Sequence, residues 1–185
     1  MSKITSISIF CSSSNLVNYQ FDEFTIKLGK ILAKLNKTIV YGGGKTGLMG
    51  KIADSSLKNG GKVIGVIPKG LNKKEITHNK LSELFVVDNM HERKAKMFNL
   101  SEAAIILPGG LGTLEEFFEV FTWKTLNLHD KPIILVDIFD YWKPLVNLIH
   151  HLIKNNFAQN EILSTLDIVR DIDSLVSKIN FYSDH

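Results

Sequence analysis

Short runs rich in β-branched residues alternate with longer stretches of helical period along this chain, and no other feature constrains the fold as much. Ile4 to Cys11, Thr38 to Tyr41, Lys62 to Ile67, Leu84 to Val87, Ala103 to Leu107 and Pro132 to Val136 read as strands. Several are apolar on both faces, the pattern of a parallel sheet covered by helices. Helical candidates fall at about Phe21 to Leu35, Leu48 to Asn59, His91 to Ser101, Gly112 to Leu128 and Tyr141 to Asn155. A weaker strand, Asp167 to Arg170, precedes a short helix at Ile172 to Ile179. Right-handed crossovers turn this order into an α/β, doubly wound parallel sheet with helices on both faces. Ligands in such folds bind beyond the carboxyl ends of the strands.

The 185 residues suit one domain, 1–185, at about 100 to 200 residues per domain. A formal charge of +3 is spread along the sequence with no Lys/Arg block, so a nucleic-acid partner is not expected. Cys11 is the only cysteine and has no intrachain disulfide partner, as in a reducing compartment. No run approaches the roughly 18 apolar residues of a membrane span, and the first ten residues lack a signal-peptide core. A soluble cytoplasmic protein without a membrane partner is the expectation.

Three loops after strands share one chemical character: Cys11-Ser12-Ser13-Ser14, the glycine run Gly42 to Gly50, and Pro108-Gly109-Gly110-Leu111-Gly112-Thr113. Each offers N–H or hydroxyl donors at one edge of the sheet. For a single glycine, tight turning between strand and helix is explanation enough; three such loops together favour a phosphorylated ligand. Gly42-Gly43-Gly44-Lys45-Thr46-Gly47 satisfies G-x-G-x-x-G, but the next strand ends in Ile67-Pro68 where a ribose-binding acid belongs, so dinucleotide binding is weakly supported. A P-loop fails because Ile39 stands where its first glycine should be. His91-Glu92 opens like a zinc-protease helix, yet the second histidine would fall at Ala95. His150-His151 point about 100° apart on a helix. Neither a metal nor an organic cofactor is expected. The longest irregular piece, Pro68 to Ser82, carries Lys69, Lys73, Lys74, Glu75 and His78 and is a candidate lid.

Met90-His91-Glu92-Arg93-Lys94 places two cations in the first turn of a helix capped by Asp88 or Asn89, against the macrodipole. Screening by Glu92 makes that harmless; alternatively, Arg93 and Lys94 face an anion. Thr113-x-x-Glu116 matches a capping box, in which hydroxyl and carboxylate each satisfy a backbone N–H. Glu115, roughly 100° round the helix, reads as solvent-facing and paired with Glu119 or Lys124. Leu114, Phe117, Phe118 and Phe121 form the core-facing set.

Pro108 to Glu116 together with Met90 to Lys94 resembles the signature pair of the LOG (Lonely Guy) family, the cytokinin riboside 5′-monophosphate phosphoribohydrolases, often labelled lysine decarboxylases. Tyr41-Gly42-Gly43-Gly44, Gly47-Leu48-Met49-Gly50 and Phe10-Cys11 before serines are similar to the family too, over roughly residues 4 to 155. The resemblance implies a Rossmann-like fold, a homodimer with active sites near the subunit interface, and hydrolysis of a nucleoside 5′-monophosphate to free base and ribose 5-phosphate. It implies Arg93 and Glu116 as the catalytic pair. As substrate contacts it implies Glu75, Arg93, Lys94, Gly110, Leu111, Gly112, Thr113, Leu114, Glu115, Glu116 and Thr122. Ser12 stands where a glycine is common in the family, and Lys45-Thr46 replaces a small or apolar pair. These departures bear on which base is preferred.

The implied chemistry suits the residues. Glycosidic cleavage passes through an oxocarbenium-like ribose, which a carboxylate stabilises while activating water. Glu116 fits that role, and the 5′-phosphate gives binding energy that holds the ribose in place. Arg93 either steers the phosphate or holds Glu116 ionised. Two other readings are a general nucleoside monophosphate nucleosidase of salvage and a non-catalytic binder such as the molybdenum cofactor carriers. Lysine decarboxylation is poorly supported, because no lysine sits in a recognisable pyridoxal-phosphate context.

Overall fold

The apolar runs become the strands of one sheet. The computed structural model describes residues 4–73 and 76–184, in which β1 (Ser6–Phe10), α1 (Tyr19–Lys34), β2 (Thr38–Tyr41), α2 (Gly47–Lys58), β3 (Val63–Pro68), β4 (Glu83–Val87), α3 (Met90–Asn99), β5 (Ala103–Ile106), α4 (Leu111–Thr125), β6 (Ile133–Val136), α5 (Lys143–Lys154), β7 (Asp167–Val169) and α6 (Ile172–Asp184) follow one another. The strands lie in the order β4-β3-β2-β1-β5-β6-β7, and each neighbouring pair is parallel. The chain winds outward from β1 to β4, returns through α3, and resumes on the other side of β1 with β5. That reversal leaves a crevice beyond the carboxyl ends of β1 and β5, where Phe10 pairs with Ile106.

Alternation along the strands divides the apolar side chains between two cores. Ile7 and Ile9 of β1 face α1, α2 and α6, whose Leu28, Leu32, Leu48, Ile52 and Leu175 are completely buried. Phe10 faces the other way, toward Met97 of α3, Phe117 and Phe121 of α4, Trp142 at the start of α5 and Leu145 within it. Each fully buried aliphatic or aromatic side chain contributes roughly 1.5–3 kcal/mol. Helices α1 and α2 approach closely because Gly29 has no side chain; a Cβ there would lie 2.8 Å from the Ile52 carbonyl oxygen. No described helix is long and apolar enough to cross a membrane.

Asparagine rather than glycine ends several helices. Asn36, Asn127 and Asn156 follow α1, α4 and α5 with φ of 53°, 55° and 61°, and the next residues donate back to Leu32, Trp123 and Leu152. This is the Schellman arrangement. It stops α4 at Thr125, short of the expected Leu128, whose N–H is used in the closure.

The described part of the Pro68 to Ser82 segment is tied down. The Lys45 N–H donates to the Ile76 carbonyl at 2.9 Å, Thr77 bridges Gly44, and the His78 N–H donates to the Gly43 carbonyl at 2.9 Å. The His78 ring is buried 3.0 Å from Asp54. Lys74 and Glu75 lie outside the described residues.

Candidate functional site

A cleft of about 290 Å³ opens at the reversal point between β1 and β5. One wall is Cys11 to Ser14 after β1, the opposite wall is Gly110 to Thr113 at the start of α4, and Gly42, Met49, Arg93 and Glu116 complete the lining.

The three loops interlock. The Ser12 N–H donates to the Pro108 carbonyl at 3.1 Å, and the Met49 N–H donates to the Ser12 carbonyl at 3.2 Å. Gly47 has a φ of +59°, donates its N–H to Asn15 Oδ1 at 2.8 Å, and has no room for a Cβ, which would stand 2.5 Å from the Ser13 carbonyl carbon. Much of the donor capacity expected of the Gly42 to Gly50 run is therefore spent inside the protein: Lys45 on Ile76, Gly47 on Asn15, and Gly50 on Thr46. The third loop differs. Gly110 is the N-cap of α4, and the first-turn N–H groups of Leu111, Gly112 and Thr113 precede any intrahelical acceptor. Leu111 and Gly112 are exposed, so this end of the helix dipole faces solvent at the cleft.

The capping box forms elsewhere than the Thr113-x-x-Glu116 pattern suggests. With Gly110 as N-cap, Thr113 is already inside α4 and buried against Gly109, where a Cβ would lie 2.1 Å from Thr113 Oγ1. The box appears on α3: Asn89 Oδ1 accepts from the Glu92 N–H at 3.0 Å, and the Glu92 carboxylate accepts from the Asp88 N–H at 3.0 Å. Glu116 is thereby released from capping duty.

Glu116 instead lies buried at the base of the cleft, its Oε1 3.4 Å from Arg93 Nη2. Burial pushes its pKa up to about 7, with Glu115 and Glu119 acting in the same direction and Arg93 and Lys94 opposing. Arg93 is held on three sides. Its Nε donates to the Val66 carbonyl at 3.2 Å, its Nη1 lies 3.7 Å from Met90 Sδ, and its Nη2 occupies space that a Cβ at Gly42 would invade at 1.9 Å. Gly42 thus makes room for the guanidinium, a role the glycine run did not disclose. Of the two functions open to Arg93, the geometry favours the one beside the carboxylate. Cys11 lines the same cleft as a buried thiol, its pKa raised by burial and by Glu116 against the opposing Arg93.

Sequence comparison places the chain among known proteins. A protein-family profile described as "Possible lysine decarboxylase" matches residues 49–179. A cytokinin riboside 5′-monophosphate phosphoribohydrolase of Rhodococcoides fascians is 39% identical over 175 residues, 94% of this chain and 88% of that protein. One from Arabidopsis thaliana is 40% identical over 181 residues, 98% of this chain and 85% of that protein. The chain belongs to the LOG family. Among solved structures, the molybdenum cofactor carrier protein of Chlamydomonas reinhardtii superposes with a TM-score of 0.73 at 16% identity, covering 100% of both chains. The molybdenum cofactor binding protein of Rippkaea orientalis gives 0.73 at 18% identity over 98% of each. These two share the fold.

The other LOG-motif residues are distributed unevenly. Gly110, Leu111, Gly112 and Thr113 line the cleft with Arg93 and Glu116. Lys94 is buried on the next helical position and pairs with Glu115 and, at 3.0 Å, with Glu119, so the expected Glu115 pairing with Glu119 or Lys124 is replaced by one from α3. Burial opposes the Lys94 charge, but the two carboxylates hold its pKa above the usual lysine value. Lys124 donates to the Lys131 carbonyl at 2.7 Å instead. Leu114 packs against the second core, and Thr122 is exposed further along α4. Neither is among the cleft-lining residues, and Glu75 lies outside the described residues.

Proposed function

We propose that this LOG-family protein hydrolyses the N-glycosidic bond of a nucleoside 5′-monophosphate, a cytokinin riboside 5′-monophosphate or AMP, releasing free base and ribose 5-phosphate. The observation that carries this reading is the buried Glu116 carboxylate, 3.4 Å from the Arg93 guanidinium, in a cleft whose opposite lip is a helix N-terminus. A phosphate at Gly110 to Thr113 meets unpaired N–H groups and the positive end of the α4 dipole. Its binding energy then holds the ribose over Glu116.

In the reaction, the bond from the anomeric carbon to the base nitrogen breaks and its electron pair leaves with the base. Positive charge develops on the ribose, where the Glu116 carboxylate stabilises it. A water oxygen forms the new bond to the anomeric carbon and gives its proton to Glu116. Glu116, a carboxyl group poised near pH 7, accepts that proton and passes it on to the departing base, so that neutral base leaves and the carboxylate is regenerated. Arg93 keeps a useful fraction of Glu116 ionised despite its burial. The resemblance further supports Glu75, Lys94, Leu114, Glu115 and Thr122 as substrate contacts, and a homodimer. A lone buried Cys11 fits the cytoplasm.

The purified protein, incubated with AMP, GMP, CMP and isopentenyl-AMP, should release free base and equimolar ribose 5-phosphate, detected by chromatography. A preference for the isopentenylated substrate indicates cytokinin activation, and equal use of the panel indicates salvage. Calorimetric binding of AMP without any product would overturn the hydrolase in favour of a carrier.

A further inference from the structure

The peptide between Gly109 and Gly110 is flanked by glycine on both sides, so the local sterics that normally restrain a peptide plane are weak there. Its orientation matters, because a trans peptide directs its C=O and N–H to opposite sides. In one orientation an anion at the start of α4 meets the Gly110 N–H; in the flipped one it meets a carbonyl oxygen.

The Gly109 carbonyl is held from outside the loop. Tyr141 donates its hydroxyl hydrogen to it at 2.7 Å, from the connection between β6 and α5. Tyr141 is not part of the cleft lining, whereas Gly110 is. The neighbouring carbonyls are committed as well, Pro108 to the Ser12 N–H at 3.1 Å and Gly110 to the Leu114 N–H at 3.0 Å. Three successive carbonyls are thus engaged by protein donors, which leaves N–H groups for a ligand.

The Tyr141 segment carries the marks of a built support. Phe139 and Asp140, consecutive and neither of them glycine, have φ of 57° and 56°. Such backbone persists only where the surroundings impose it, and it clusters at functional sites. Here the buried Asp137 accepts the Trp142 N–H at 2.6 Å, and the Tyr141 ring stands edge-on to Phe21 at 5.6 Å and to Trp142 at 4.8 Å. The turn delivers the phenol to the glycine loop.

We propose that Tyr141 is a positioning residue, whose hydroxyl locks the Gly109–Gly110 peptide so that the Gly110 N–H stays turned toward the phosphate of the substrate. The inference rests on the reading that the start of α4 binds that phosphate. Tyr141→Phe keeps the ring and removes only the hydroxyl. It should weaken inhibition by ribose 5-phosphate roughly tenfold, the size of one hydrogen bond, and raise KM for the nucleoside monophosphate more than it lowers kcat. Binding of adenosine, which has no phosphate, should be weakened far less.

An equal loss for adenosine and ribose 5-phosphate, or no loss for either, overturns the role of Tyr141 while leaving the phosphate site standing. If the wild-type protein binds ribose no more weakly than ribose 5-phosphate, the phosphate site itself fails, and this inference with it. Nitrogen-15 spectra of the wild-type protein supply a reading that needs no variant. The Gly110 amide should shift when ribose 5-phosphate saturates the site, and an unmoved Gly110 resonance overturns the proposal.

Discussion

A Cβ placed on Gly42 would stand 1.9 Å from Nη2 of Arg93 and 3.0 Å from its Cζ. The glycine at the end of β2 and the arginine of α3 thus share one volume, and the arginine uses it to reach Glu116. The clash falls on the far end of a flexible side chain, so it is relieved by moving the guanidinium rather than the backbone.

Gly42→Ala should therefore fold with little loss of stability and still lose kcat/KM by roughly 100-fold, within the range for removing one preorganised electrostatic group. Without Arg93 alongside, Glu116 holds its proton to higher pH. The acidic limb of the rate profile should move upward, and steady-state kinetics between pH 5 and 9 check both effects. An unchanged limb would mean that Arg93 reaches Glu116 by another path.

Glu116→Gln should lower turnover by at least about 1000-fold while the fold survives. The same residue makes stability depend on pH with a definite sign. Its folded pKa, about 7, lies above the ordinary 4.5, so between these values the folded state binds more protons than the unfolded one. Stability is fully present below about pH 4.5 and falls as pH rises through 7, by roughly 3 kcal/mol for this group. Thermal melts of wild type and Glu116→Gln should diverge over that window, with the variant gaining on the wild type as pH increases. Activity moves the opposite way, since the ionised carboxylate accumulates above pH 7.

Lys94→Met leaves Glu115 and Glu119 without their shared cation and removes a charge that lowers the pKa of Glu116. Denaturant unfolding should show a loss of about 2 kcal/mol, moderated by the exposure of Glu115. The acidic limb of the rate profile should rise, though less than in Gly42→Ala, because Arg93 outweighs Lys94 at Glu116.

Asp140→Gly relieves a left-handed backbone at φ 56°. It should raise the melting temperature by a few degrees, corresponding to about 1 kcal/mol less strain offset by the greater freedom of glycine when unfolded. A lowered melting temperature would show that the Asp140 side chain contributes more than the backbone costs.

The parallel sheet was legible because strands buried on both faces leave nearly continuous apolar runs, as in Ala103 to Leu107 and Pro132 to Val136. Positioning of Arg93 and Glu116 in one cleft was legible only through the family resemblance. Nothing local to Gly42 indicates that it is kept small for a residue on α3. The capping box was misplaced because Asn89-x-x-Glu92 and Thr113-x-x-Glu116 have the same form, and only the packing of Thr113 over Gly109 decides that α4 begins earlier. The Lys94 partners were missed for a related reason: helical spacing exposes pairs within α4, whereas the actual cation arrives from α3, 21 residues before Glu115.

The reversal of the strand order between β1 and β5 has a consequence for the birth of the enzyme. Arg93 sits on α3, before the crossing, and is anchored on β3 through Val66, while Glu116 follows β5 in the part of the chain beyond it. Neither part holds both members of the pair. A nascent or partly assembled molecule therefore lacks the Arg93–Glu116 contact, which forms only when the two parts dock along β1.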